Sequence, residues 1–84
     1  MDNLLLDAAA QNFEAAQDLA GPAQSQRMAL GLMQVARAVK GDSRSPALMD
    51  AAAQNFEAAQ DLSGQRQTQR VALGLMQFAR ALKR

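Results

Sequence analysis

Apolar side chains recur along this chain every three or four residues, the spacing of one face of an α-helix, and four such stretches follow one another. In the first, Leu6, Ala9, Phe13, Ala16 and Ala20 share one stripe, flanked by Leu5, Ala10 and Leu19, while Asp7, Gln11, Glu14 and Asp18 lie opposite. In the second, Met28, Leu32, Val35 and Val39 form the expected core stripe, with Ala29 and Ala36 beside it and Arg27, Gln34 and Arg37 on the far side. The third and fourth repeat this, with Asp50, Glu57 and Asp61 on one and Arg66, Arg70, Arg80 and Arg84 on the other. Strong helix formers dominate throughout.

Local signals place the ends. Asp2 or Asn3 is the expected cap of a helix running to Ala20, with Gly21 as its stop. Pro22 blocks continuation, and Ser25 is the expected cap of a second helix ending near Lys40–Gly41. After the linker Gly41–Ser45, the pair Ser45-Pro46 starts a third helix that runs to Leu62. Ser63–Gln67 is the expected turn, and Thr68–Arg84 the fourth helix.

The third and fourth stretches reproduce the first and second. Residues 7–40 and 50–83 align at an offset of 43 without a gap, and 27 of the 34 positions are identical. Short connections make sequential helices antiparallel neighbours. The expected fold is therefore all-α, a tandem duplicated αα-hairpin forming an up-down-up-down antiparallel four-helix bundle, closed within one chain or swapped between chains. Residues 1–84 form one domain in this reading, with hairpins at 3–41 and 46–84 joined by a linker at 41–45. A period of 43 also lies in the range of HEAT repeats, but the tetratricopeptide signature residues are absent and two hairpins are few for a solenoid.

The seven differences sort by place. Ala20/Ser63, Pro22/Gln65, Ala23/Arg66 and Ser25/Thr68 lie in or beside the hairpin turns; Met28/Val71, Val35/Phe78 and Val39/Leu82 are apolar in both copies. A smaller residue at 71 and a larger one at 78 suggest compensation in a shared core, with the hairpins related by a pseudo-two-fold axis. Acidic and basic helices alternate, which would place each acidic helix between two basic ones.

Composition then removes most chemistry. The chain has no Cys and no His, so thiolate nucleophiles, imidazole bases and the usual zinc ligands are missing. Three Phe without Trp or Tyr offer little for base stacking, and a net charge of +1 favours neither nucleic acid nor anionic lipid. No catalytic, cofactor-binding or metal site is expected, and the chain does not read as an enzyme. Asp7, Glu14 and Asp18 lack the Glu-x-x-His partner of a di-metal bundle site. No stretch reaches the roughly 20 apolar residues that span a bilayer, and Met1–Ala10 lacks the basic start of a signal peptide, so the compartment is unknown, cytoplasmic by default.

What remains is contact with protein. Arg27, Leu30, Met33, Gln34 and Arg37, with Arg70, Leu73, Met76, Gln77 and Arg80, put leucine and methionine among arginines on the nominally polar side of the second and fourth helices. Arg and Met are enriched in interfaces. Gly31 and Gly74, mid-helix, would allow a close helix approach. Asn12 and Asn55 are expected to bond across helices, and Phe13 and Phe56 to anchor the core. The reading is a non-enzymatic protein–protein interaction or self-assembly module, its partner a second copy or another helical protein. The alternatives are a scaffold without a ligand of its own and a weak binder of anionic surfaces through the basic fourth helix.

Overall fold

A computed structural model describes residues 1–83 as four α-helices: α1 (Asn3–Ala16), α2 (Gly21–Val39), α3 (Pro46–Ala59) and α4 (Gly64–Leu82). A turn of 3-10 helix, Lys40–Asp42, follows α2. Two of the expected caps are made. The Asp2 carboxylate accepts from the Leu5 amide at 3.1 Å, and the Ser45 hydroxyl accepts from the Leu48 amide at 3.4 Å, with Pro46 next in line.

The turns inside the hairpins differ from expectation. α1 ends at Ala16 rather than Ala20, and α2 begins at Gly21 rather than Ser25; α3 and α4 likewise meet across residues 60–63. Gly21 and Gly64 do not stop the preceding helix. With φ of 61° and 60° they open the following one, in a backbone region that costs other residues about 1–2 kcal/mol. The preceding helix closes on tight backbone turns, Leu19 to Ala16 and Leu62 to Ala59 among them, and a side chain reinforces each end. The Gln24 amide nitrogen donates to the Ala16 carbonyl at 3.0 Å, and Gln67 donates to Ala59 at 2.9 Å. α4 ends at Leu82; Lys83 is extended, and Arg84, the expected end of the fourth helix, lies outside the described residues.

Each hairpin is locked by the same pair of contacts. The ring of Phe13 lies on Gly31, where an added Cβ would stand 2.5 Å from Cε1, and Phe56 lies on Gly74, where the distance would be 2.6 Å. Glycine here lets an aromatic ring rest on helix backbone, which offsets its cost of about 1 kcal/mol in a helix interior. Beside the rings, the Asn12 amide donates to Gln34 Oε1 at 2.7 Å and Asn55 donates to Gln77 at 2.6 Å.

The hairpins meet along α2 and α3. Met33 and Ala36 of α2 share one core cluster with Met49, Ala52, Ala53 and Phe56 of α3 and with Ala81 of α4. The Arg37 guanidinium of α2 pairs with Glu57 of α3 at 2.5 Å, and the Lys40 ammonium, at the start of the 3-10 turn, pairs with Asp50 of α3 at 2.7 Å. α1 packs on α2 and on no other α-helix, whereas α4 packs on α3 and only lightly on α2. The result is an all-α antiparallel four-helix bundle with two inner helices, α2 and α3, two outer ones, and an open side between α1 and α4. Its extents are 35 × 26 × 17 Å.

This arrangement corrects three expectations. A two-fold axis would match the α2–α3 contact with an α4–α1 contact, and none forms; the hairpins are stacked in the same sense instead. α3 lies between two basic helices, but α1 has one neighbour. The buried line of α2 is Ala29, Met33 and Ala36 rather than Met28, Leu32, Val35 and Val39: Met28 is 47% exposed and the other three are half-buried. Small residues win the inner positions because the helices approach closely there, leaving the longer side chains to cover the flanks.

Candidate interaction surface

α2 and α4 carry nearly the same sequence in different surroundings. Ala29 and Ala36 are buried on α2, and Met33 is 9% exposed; their equivalents on α4, Ala72 and Ala79, are exposed, and Met76 is 38% exposed. Leu30 and Leu32 are half-buried against the core cluster, while Leu73 and Leu75 are 41% and 45% exposed. The difference comes from the second hairpin. α3 covers this side of α2 and α4 flanks it at Leu32, whereas no described residue covers the same side of α4. Leu73, Leu75, Met76 and Leu82 thus stand in contact with water as a broad apolar band over half of α4, with Ala72 and Ala79 at its centre and Arg70, Arg80 and Lys83 exposed among them.

α1 carries the complementary vacancy. Ala53 and Phe56 on α3 are 3% and 0% exposed, yet Ala10 on α1 is exposed and Phe13 is half-buried. Asp7 and Glu14, equivalent to the paired Asp50 and Glu57, are exposed beside them. A hollow lined by Leu19, Arg27 and Leu30 in the first hairpin is bordered by Gln60 of α3. The same hollow among Leu62, Arg70 and Leu73 in the second has no such border.

The residues singled out from the sequence therefore divide. In the first hairpin, Leu30 and Met33 pack inward and Gln34 is bonded to Asn12; Arg37 and Arg27 stay at the surface, the first paired with Glu57 and the second with a long 3.4 Å bond to Asn12. In the second, Arg70, Leu73, Met76 and Arg80 are exposed, and Gln77 is bonded to Asn55. Ala72, Leu75 and Ala79 on α4, Lys83 just past its end, and Asp7, Ala10 and Glu14 on α1 belong to the open faces without having been singled out. Their signal was present: each is identical to a residue of the α2–α3 contact.

Two further features bound the chemistry. A shallow, largely apolar groove of about 170 Å³ runs between α2 and α4, with Met28 and Val71 both in its lining; Met28 is exposed there, whereas Val71, like Phe78, also packs against the core cluster. No helix among the described residues is long and apolar enough to cross a membrane. Comparison with protein-family models, with curated proteins and with solved structures finds no match to this chain.

Proposed function

We propose that this chain is a non-enzymatic helical module that acts by protein–protein contact, through the outer face of α4. The observation that carries the reading is the band of Leu73, Leu75, Met76 and Leu82, four large apolar side chains on one helix, each more than a third exposed. Exposed apolar patches rimmed by charge are typical of docking surfaces. Arginine and methionine among leucines is a composition that interfaces favour over ordinary surface.

The test asks whether the fold needs these side chains. In the monomer, Leu75→Gln with Met76→Gln should lower unfolding stability by about 1–2 kcal/mol, because both residues already stand half in water. The same exchange at the equivalent inner positions, Leu32→Gln with Met33→Gln, should cost about 4 kcal/mol or more, since it cuts into the shared core and buries amides. Chemical denaturation of both double variants measures the difference. Equal losses would mean that α4 keeps its apolar band for folding, and contact with another protein would lose its support.

A further inference from the structure

The α2–α3 contact is heterologous: a basic face of one hairpin docks on the acidic face of a nearly identical hairpin, and each hairpin has both faces. One basic face and one acidic face are used inside the chain. One of each is left over, on α4 and on α1, at opposite outer sides. Resting on the reading of α4 as a contact surface, we propose that the chain associates head to tail with a second copy of itself, α4 docking on α1 of the next copy as α2 docks on α3.

Three features of the open faces, each carried by the repeat, support this occupant. The apolar line matches. Ala72, Met76 and Ala79 repeat Ala29, Met33 and Ala36 without change, and Ala10 and Phe13 repeat Ala53 and Phe56. The single difference near the centre of the acidic face, Leu6 for Met49, is a volume-conserving exchange of the kind that packed cores tolerate.

The charges match as well. The pairs Arg37–Glu57 and Lys40–Asp50 become Arg80 with Glu14 and Lys83 with Asp7 of the next copy. Such exposed pairs fix register and orientation more than they add affinity. Finally, the hollow at Leu62, Arg70 and Leu73 lacks the glutamine that borders its counterpart. In the docked pair, Gln17 of the next copy takes the place that Gln60 holds within the chain. A head-to-tail contact leaves a fresh α4 and a fresh α1 at the ends, so association continues past the dimer into a ring or an open array.

Between molecules, the contact loses the millimolar-scale effective concentration that the linker gives it within the chain, so association is sought up to about 1 mM. Sedimentation equilibrium of the whole chain from about 10 μM to 1 mM should show a weight-average mass that rises with concentration and passes twice the chain mass. Met76→Glu on one face and Ala10→Glu on the other should each weaken association by about 30-fold or more, as expected for a charge placed at the centre of an interface. Both positions are at the surface, and helical circular dichroism establishes that the variants stay folded. A wild-type chain that remains monomeric throughout overturns the proposal, yet leaves the stability difference between the α2 and α4 variants to decide whether α4 serves some other partner. Association that stops at a dimer and responds to Met76→Glu but not to Ala10→Glu also overturns it, in favour of two-fold pairing of α4 faces.

Discussion

α2 and α4 differ at only three positions between Arg27 and Lys40 or their equivalents, yet one is a core helix and the other a surface helix. α3 and α1 stand in the same relation: Phe56 is fully buried, and Phe13, in an identical stretch of sequence, is half-buried. Burial here is decided by stacking order and not by local sequence. The ring-on-glycine and asparagine–glutamine contacts inside a hairpin are made twice over, whereas contacts between hairpins are made once. A mutation at equivalent sites should therefore differ in cost to the extent that it touches the second kind.

The largest contrast is expected at the alanines. Ala53→Glu places a carboxylate without a partner in the α2–α3 core and should cost about 4 kcal/mol or more, enough to unfold a chain of this size. Ala10→Glu, at the exposed equivalent, should stay within about 1 kcal/mol in the monomer. Thermal melts followed by circular dichroism separate the two without ambiguity. Next come the aromatic rings. Phe56→Ala should cost about 3–5 kcal/mol and Phe13→Ala markedly less, read from urea midpoints, because water already reaches the second ring.

The glycines should show a smaller contrast. Gly31→Ala and Gly74→Ala each gain about 1 kcal/mol of helix propensity and drive a methyl group into a phenylalanine ring. The loss should be larger at Gly74, by about 1 kcal/mol in urea unfolding, because Phe56 is held in the shared core whereas the half-buried Phe13 has room to shift. Equal losses would mean that the two rings are equally confined. Smallest is the effect of the ion pairs. Arg37→Ala should cost about 0.5–1 kcal/mol at low salt and nearly nothing at high salt, while Arg80→Ala leaves the monomer unchanged under both conditions.

Much of this arrangement was legible in the residues themselves. Helical periodicity predicts four helices, Asp2 and Ser45 cap as their types suggest, and Asn12 and Asn55 bond across helices. Gly31 and Gly74 admit the close approach that their mid-helix positions imply. The helix ends inside the hairpins were not legible, because glycine at positive φ opens α2 and α4 here, and a glutamine side chain joins the backbone amides in capping the preceding helix.

The stacking sense was hidden for a different reason. Identical hairpins present identical stripes, so helical wheels assign Leu30 and Leu73, or Met33 and Met76, the same surroundings. Only the tertiary arrangement shows that α3 covers one of each pair. The alanine-lined contact was also underrated, since Ala29 and Ala36 look like the edge of an apolar arc and turn out to be its centre. Small residues mark where helices touch, and the larger residues beside them mark where they part.

If α4 and α1 carry the two halves of a contact already made once inside the chain, the halves must be separable by mutation. Sedimentation velocity on an equimolar mixture of the Met76→Glu and Ala10→Glu chains separates them, because each variant keeps the half that the other lacks. Each variant alone should be monomeric, and the mixture should form a 1:1 dimer and nothing larger. A mixture that sediments as two non-interacting monomers, at concentrations where the wild-type chain associates, would contradict the head-to-tail contact.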